Sequence, residues 1–293
     1  MILFPNCKIN IGLRILGKRA DGYHDVLTAM IPVGWSDVLE LVPAAGRQSS
    51  LTCTGHSLAT CPPEKNLVMK ALRAVENYTG RELPTDIYLR KIIPDGAGLG
   101  GGSADAAFTI RGLNELYGLQ LDDESMASIA SEIGSDCPFF LFNRPMLATG
   151  RGTELRNIDV CMDGIGAIVV AKGETEAVST REAYAGVAPR PLTPEEDLCR
   201  ILQENPAHWS GRIVNDFEPS IFALRPTVKE LKAKMLEAGA VYASMSGSGA
   251  AVYGLFPTLQ QAEQAAKTLT ATAQISIHVS PINEIYETQF MSH

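Results

Sequence analysis

The chain has 293 residues and a formal net charge of −8, from 25 Lys and Arg against 33 Asp and Glu, with a sequence pI near 5.2. A nucleic-acid binder draws most of its affinity from neutralising phosphates, so this balance argues against DNA or RNA as the main partner. With 45% hydrophobic and 20% charged residues, the chain can bury a sizeable core, and its length suits two domains or one large one.

Residues 9–16 and 37–42 alternate loosely and carry β-branched side chains, so both read as strands. Between them lies a polar, glycine-bounded loop, Gly17-Lys18-Arg19-Ala20-Asp21-Gly22-Tyr23-His24. Pro62-Pro63 precede residues 66–78, where Leu67, Ala71, Ala74, Val75 and Tyr78 fall at helical spacing. Residues 86–93 read as a strand. The densest glycine cluster of the chain follows, and a helix is expected to start at Ser103. Ser103 is a suitable N-cap, Asp105 suits the first turn, Ala106, Ile110, Leu113 and Tyr117 share a face, and Gly118 supplies a stop. A second helix is expected at 123–133, ending at Gly134 and followed by Ser135-Asp136-Cys137-Pro138. Residues 165–171 read as a buried strand, 188–194 as a proline-rich linker and 226–238 as a helix. A second glycine-serine loop, Ala243-Ser244-Met245-Ser246-Gly247-Ser248-Gly249-Ala250, leads into a strand at 251–256, a helix at 260–270 and a strand at 275–279. That order suggests a small α/β sandwich, and the change of texture around Arg151 sets a domain boundary near residue 155.

The strongest chemical signal is the loop Pro94-Asp95-Gly96-Ala97-Gly98-Leu99-Gly100-Gly101-Gly102-Ser103. Clustered glycines let the backbone approach a ligand closely and turn its N–H groups inward as an anion nest. Entry into a helix adds the positive end of its dipole. Together these make a phosphate cradle built from backbone. The loop lacks the Gly-Lys-Ser/Thr ending of the nucleotide-binding P-loop. Gly96 to Gly101 satisfies Gly-x-Gly-x-x-Gly by letter, but Glu115, the acidic residue at dinucleotide spacing, falls inside the expected helix, so a hydride-transfer reading fails.

This loop, extended through Ala104, resembles the proline-to-glycine-serine signature of the GHMP kinases, and Met245-Ser246-Gly247-Ser248-Gly249-Ala250 resembles that family's C-terminal glycine motif. Ala104 departs from the second serine common at its position, which removes a hydroxyl and leaves the backbone intact. Lys8-Ile9-Asn10, the Gly17–His24 loop, Gly134-Ser135-Asp136-Cys137-Pro138-Phe139-Phe140, Ala148-Thr149-Gly150-Arg151-Gly152 and Asn215-Asp216-Phe217-Glu218 narrow the resemblance to members acting on a cytidine-linked alcohol.

The resemblance implies an α+β, two-domain fold, an ATP-binding N-terminal domain at 1–155 and a ferredoxin-like C-terminal domain at 156–293, with the active site in the cleft between them. It implies transfer of the ATP γ-phosphate to the 2-hydroxyl of a cytidine diphosphate-linked methylerythritol, with Mg²⁺ carried by ATP. Asp136 would accept or orient the hydroxyl proton, and Lys8 would stabilise that carboxylate and polarise the attacking oxygen. Pro94 to Ala104 would hold ATP, with Asn66 and Lys91 as adenine-side positions. On the substrate side, Asn10, Tyr23 and His24 would serve, Tyr23 stacking on cytosine and His24 bonding its edge, with Tyr184 on the other face. Taken singly, a loop aspartate is a turn residue and a strand lysine a surface charge; their matching surroundings reverse both readings. A kinase for another small alcohol, of homoserine or mevalonate type, and a nucleotide sensor without activity are the alternatives. Asp21-Gly22-Tyr23-His24 speaks against the first, and intact Lys8 and Asp136 against the second.

The longest apolar run, at 165–171, is too short to span a membrane. Pro5, Asn6 and Lys8 interrupt the apolar start, so no secretory leader is expected. Cys7, Cys53, Cys61, Cys137, Cys161 and Cys199 show no Cys-x-x-Cys pair and no zinc spacing, which predicts free thiols in a reducing cytoplasm. His56, His208, His278 and His293 are scattered and read as structural or surface residues, and no metal ligand is assigned.

Overall fold

The chain begins with a short strand β1 (Ile2–Leu3) and a 13-residue strand β2 (Asn6–Lys18), which turns back as β3 (His24–Ser36) to form a long antiparallel hairpin. The structure is a computed structural model and describes residues 1–46, 48–55, 62–174, 178–192 and 197–283. His56, Cys61, His293 and the end of the proline-rich linker at 193–194 lie outside the described residues. Alternation along β2 sends Cys7, Ile9 and Ile11 into a core and turns Lys8 and Asn10 to the opposite face. At Gly12 the register shifts and φ is +68°, a bulge that re-aims the strand beyond it.

β4 (Val38–Pro43), β5 (Ser50–Gly55), helix α1 (Leu67–Thr79), β6 (Thr85–Lys91) and α2 (Gly101–Leu116) follow, then α3 (Asp123–Ile133), α4 (Cys137–Phe142), β7 (Met146–Thr149) and β8 (Glu154–Asn157). One four-stranded sheet runs β1-β4-β6-β5 and a second β2-β3-β7-β8. The first packs against α1 to α4 through Leu39, Leu41, Ile87 and Leu89 on one side and Leu72, Val75, Ile110 and Phe139 on the other. Local chemistry sets the helix ends. Asn66 caps α1 by accepting from the Val68 N–H at 3.0 Å, Gly80 ends it at φ +64°, and Asp122 caps α3. The boundary expected at residue 155 falls inside β8, which pairs with β7 and carries the N-terminal sheet on to Asn157.

Two expectations for α2 are corrected. The helix begins at Gly101 with Gly100 as N-cap at φ +74°, so Ser103 lies in the first turn and is not the cap. Asp105, expected in the first turn, lies beyond it, buried and ion-paired with Lys91.

The C-terminal half contains β9 (Ala167–Gly173), α5 (Thr180–Ala185), α6 (Leu198–Leu202), α7 (Glu218–Leu224), α8 (Pro226–Glu237), β10 (Tyr242–Met245), β11 (Val252–Phe256), α9 (Leu259–Thr272) and β12 (Ile275–Pro281). Its antiparallel sheet runs β10-β11-β9-β12. Ala167, Val169 and Ala171 of β9 face α8 and α9, whereas Ile168 and Val170 pack on Ile9, Ile11 and Ile31 of the β2–β3 hairpin. Burial on both faces explains the unbroken apolar run of this strand. The expected α/β layers are present, and the two halves share a core along the hairpin. Among the described residues, no helix is long and apolar enough to cross a membrane.

Candidate active site

The polar face of the β2–β3 hairpin forms the floor of a cavity of about 400 Å³, to which it contributes Lys8, Asn10, Leu13, Val26, Thr28 and Met30. Every residue from Pro94 to Ser103 lies on the wall of this cavity. The first N–H groups of a helix have no partner within it, so the start of α2 presents the donors of Gly101, Gly102 and Ser103, and the Ala104 N–H closes the first turn on the Gly100 carbonyl at 2.9 Å. Gly96, Gly98 and Gly100 all adopt positive φ, at 58°, 71° and 74°. A Cβ at Gly98 would stand 2.2 Å from the Ser246 carbonyl oxygen, and one at Gly100 would stand 2.8 Å from the Phe140 ring. The cradle therefore needs glycine for close packing behind it as well as for its backbone conformation. Ala104 does not share the cavity: it is fully buried in the α2 core, which corrects its assignment to ATP.

The second glycine loop docks directly on the first. The Ser246 hydroxyl donates to the Gly98 carbonyl at 3.0 Å, and the Ala250 and Ala251 N–H groups donate to the Gly96 and Ala97 carbonyls at 3.3 and 3.1 Å. Gly247 and Ser248 reach the cavity. Asn215 holds this loop by donating to the Met245 and Gly247 carbonyls at 2.9 and 2.8 Å. Asp216 accepts from the Arg14 Nε and the Ile15 N–H at 3.2 and 2.9 Å, and Glu218 accepts from the Ser244 hydroxyl and Met245 N–H. The Asn-Asp-Phe-Glu segment thus ties the two halves together around the site.

Lys8 and Asp136 meet across the cavity with Nζ and Oδ2 3.6 Å apart; the lysine side chain is 4% exposed and the aspartate 35%. Lys8 Nζ also donates to the Gly98 carbonyl at 2.9 Å and to the Asn10 Oδ1. The Asn10 Nδ2 donates to the Thr28 hydroxyl at 3.0 Å. Asn10 therefore lines the cavity while its amide is committed to Lys8 and Thr28, so it positions the ammonium. Asp136 immediately precedes α4, and its neighbour Cys137 is buried, with the thiol pushed up to about 11 by desolvation. That thiol is no nucleophile at neutral pH.

On the other wall, the structure brings His24 against Tyr184, ring centroids 4.6 Å apart and nearly parallel, and sets Phe217 edge-on to Tyr184 at 4.9 Å. Burial, and then the charge of Asp136, raises the Tyr184 phenol above its ordinary pKa. Tyr23 is 53% exposed, and the Arg151 guanidinium carbon lies 3.6 Å from its ring centroid. Tyr23 and Tyr184 thus do not stack on each other; each has its own partner on one face.

The two adenine-side expectations fare differently from the rest. Lys91 lies behind the wall, buried, with Nζ on Asp105 at 2.7 Å and on Asp37. Burial alone would lower its pKa, but the two carboxylates overcome this and hold the ammonium above its ordinary value. Asp37 also accepts from the Ile92 and Ile93 N–H groups. Lys91 is corrected from an adenine contact to the centre of a buried ion triad under the glycine loop. Asn66 is likewise behind the wall as the cap of α1, and it is its neighbour Leu67 that reaches the cavity. Sequence reasoning assigned no role to Thr28, Met30, Arg151, Ser246 or Phe217. The signal for Arg151 was present in the quoted Gly-Arg-Gly segment, and for Ser246 in the second glycine loop.

The oxygen donors on the wall that suit a cation are the Asp95 and Asp136 carboxylates and the Ser103 hydroxyl. No cluster of three or more His, Cys, Asp or Glu occurs among the described residues. This set fits a Mg²⁺ held chiefly by phosphate oxygens.

A backbone phosphate cradle facing a buried lysine and an aspartate in a shared cavity defines a small-molecule kinase of the GHMP class. The family of GHMP kinases N terminal domains matches residues 66–144, and that of GHMP kinases C terminal domains matches residues 195–274. The 4-diphosphocytidyl-2-C-methyl-D-erythritol kinase of Parabacteroides distasonis is 45% identical over 257 residues, covering 87% of this chain and 92% of that protein. The crystal structure of a 4-(cytidine 5'-diphospho)-2C-methyl-D-erythritol kinase superposes with a TM-score of 0.78 at 30% identity, covering 96% of this chain and 98% of that one. A homoserine kinase from Cytophaga hutchinsonii, with a TM-score of 0.71 at 20% identity over 94% of both chains, shares the fold. The chain belongs to the 4-diphosphocytidyl-2-C-methyl-D-erythritol kinase family.

Proposed function

We propose that this chain transfers the γ-phosphate of ATP to the 2-hydroxyl of a cytidine diphosphate-linked methylerythritol, a step of the non-mevalonate route to isoprenoid precursors. The observation that carries the reading is the Lys8–Asp136 pair, 3.6 Å apart, in the cavity walled by the glycine loop. Phosphoryl transfer needs a positioned hydroxyl and stabilised charge more than covalent catalysis. Asp136 takes the proton of the acceptor hydroxyl as its oxygen bonds to the γ-phosphorus and the bond to ADP breaks. Lys8, fixed by Asn10 and the Gly98 carbonyl, stands beside the Asp136 carboxylate and draws charge from the attacking oxygen. Backbone N–H groups of the glycine loop hold the ATP phosphates; a Mg²⁺ carried by ATP, within reach of the Asp95 and Asp136 carboxylates and the Ser103 hydroxyl, would neutralise part of their charge.

Tyr23 offers cytosine the ring face that Arg151 leaves open. His24 stacks on Tyr184 and, among the described residues, its ring nitrogens make no hydrogen bond, so they suit the polar edge of a base. Such an aromatic cluster has no use in a site for homoserine or mevalonate. Charged, nucleotide-linked substrates fit a cytoplasmic location.

The test is purified protein with ATP and Mg²⁺ against a panel of alcohols, following ADP. The cytidine-linked acceptor should be phosphorylated, and homoserine and mevalonate should not. Equal turnover of a small alcohol without cytidine would move the chain to another branch of the GHMP kinases.

A further inference from the structure

Arg151 stands on the cavity wall, yet the transfer chemistry leaves it without a role. It occupies the tight turn between β7 and β8, flanked by Gly150 and Gly152 at φ +60° and +86°. The Gly150 carbonyl accepts from the Val26 N–H at 2.8 Å, and the Gly152 N–H donates to the Thr149 carbonyl at 3.0 Å. A turn pinned in this way to β3 presents its side chain in a fixed direction. The guanidinium lies over the Tyr23 ring at 3.6 Å. Stacking engages the flat face of a guanidinium and leaves its five N–H donors, which lie in the plane, available to acceptors.

The Tyr23 N–H first, then Arg19 and the Arg151 charge, hold the Asp21 carboxyl below its ordinary pKa, but Arg151 forms no close ion pair there. Asp21 and Asp25, in the facing loop, are held by Arg19 at 3.4 and 2.7 Å. No carboxylate among the described residues pairs with Arg151. Lys8, the other cation on the cavity wall, is buried and engaged by Asn10, the Gly98 carbonyl and Asp136. We propose that Arg151 is the residue that selects the acceptor's diphosphate, its in-plane donors gripping the phosphate oxygens while Tyr23 holds its face. This rests on the reading of the acceptor as a cytidine diphosphate derivative. Planar, bidentate recognition of phosphate is the task for which a guanidinium is suited and an ammonium is not.

Calorimetry with the ATP site saturated by ADP tests the proposal, using CDP and CMP as probes on the wild type, Arg151→Gln and Arg151→Lys. The wild type should bind CDP about ten- to a hundredfold more tightly than CMP, the range expected of hydrogen bonds to a charged group. Arg151→Gln should bring that ratio close to one, with affinity for ADP and the unfolding temperature unchanged, because the side chain is exposed at a turn. Arg151→Lys should recover only part of the ratio. With the full acceptor, Arg151→Gln should raise KM and leave kcat nearly as it was. A wild-type ratio that survives Arg151→Gln, or a parallel loss of ADP affinity, would overturn the proposal. CDP and CMP binding equally to the wild type would overturn it too and leave the cytidine reading standing. Failure of both to bind, with ADP still bound, would remove the cytidine reading itself and the proposal with it.

Discussion

Ser246 and Gly98 form the seam between the two glycine loops: the serine hydroxyl donates to the Gly98 carbonyl at 3.0 Å, and a Cβ on Gly98 would stand 2.2 Å from the serine carbonyl. The contact is backbone on backbone, so no side chain can move aside to relieve it. Gly98→Ala, strained also by φ +71°, should therefore open the seam and lower both the unfolding temperature and ATP affinity. Ser246→Ala removes two hydrogen bonds, the one to the Gly98 carbonyl and the one accepted from the Asn10 N–H at 3.2 Å, each worth about 1 kcal/mol, and should lower the unfolding temperature by several degrees, less than Gly98→Ala does. Wild-type ATP binding by Gly98→Ala would show that the two loops act independently.

Gly102 separates packing from phosphate approach. It is helical, and a Cβ there meets only the Leu67 Cδ1, at an ordinary 3.5 Å, while the residue itself lies on the cavity wall. Replacing glycine by alanine inside a helix stabilises by about 0.5–1 kcal/mol. Gly102→Ala should thus hold or raise the unfolding temperature and weaken ATP binding by on the order of tenfold, about 1.4 kcal/mol. Calorimetric ADP affinity equal to that of the wild type would mean that phosphate does not come near this turn.

The Lys8–Asp136 pair is assigned to the transition state, so its loss should appear in kcat. Asp136→Asn keeps the shape and removes the proton acceptor; Lys8→Ala removes the polarising charge. Each should lower kcat by on the order of a hundredfold or more with ATP affinity little changed. A folded variant turning over at the wild-type rate would remove that residue from the chemistry.

Much of this site is legible in the sequence because its determinants are local. The glycines of the 94–103 loop, the strand before it and the helix after it are contiguous, and Lys8 and Asp136 stand in short, distinctive segments. β3 escaped notice because Leu27, Ala29 and Ile31 and the alternating Val26, Thr28 and Met30 are all largely buried, leaving no polar–apolar alternation to see. The start of α2 was misjudged because Ser103 is the better cap by residue type, whereas the left-handed Gly100 makes the actual cap. Lys91 reads as an adenine-side position because its partners, Asp37 and Asp105, come from two other parts of the chain and only the fold brings them to it. Arg151 was quoted within a motif, but its role depends on Tyr23, which only the folded hairpins bring to it.

Lys91 gives two readings that a single variant separates. The triad of Lys91, Asp37 and Asp105 is almost wholly buried, and burial first, then the charge of Asp37, raises the Asp105 carboxyl above its ordinary pKa, against the pull of Lys91. Lys91→Met would leave two carboxylates facing each other without their cation. Breaking a buried pair in this way costs about 3–5 kcal/mol. The unfolding temperature should fall by many degrees, and any loss of ATP affinity should follow from a displaced α2. Lys91→Met that unfolds like the wild type yet fails to bind ATP would restore the adenine-side assignment.

Tyr23 is the direct test of the base site. One face of its ring carries the Arg151 guanidinium at 3.6 Å, and the ring is 53% exposed, so a second face is open to a planar partner. Stacking of a base on an aromatic side chain is worth about 1–3 kcal/mol by alanine substitution, or about five- to a hundredfold in affinity. Tyr23→Ala also strips the platform from Arg151, an exposed cation–π contact of about 0.5–1 kcal/mol, so its effect should fall toward the upper part of that range. KM for the cytidine-linked acceptor should rise accordingly, with KM for ATP nearly unchanged. Tyr23→Phe keeps both faces and should be mild. CMP should compete with the acceptor better than UMP, because uracil replaces the donor at the base's position 4 with an acceptor, and His24→Ala should narrow that gap. If Tyr23→Ala leaves the acceptor KM where it was and CMP and UMP compete alike, no base stacks at this loop, and the acceptor is held by its phosphates and its alcohol alone.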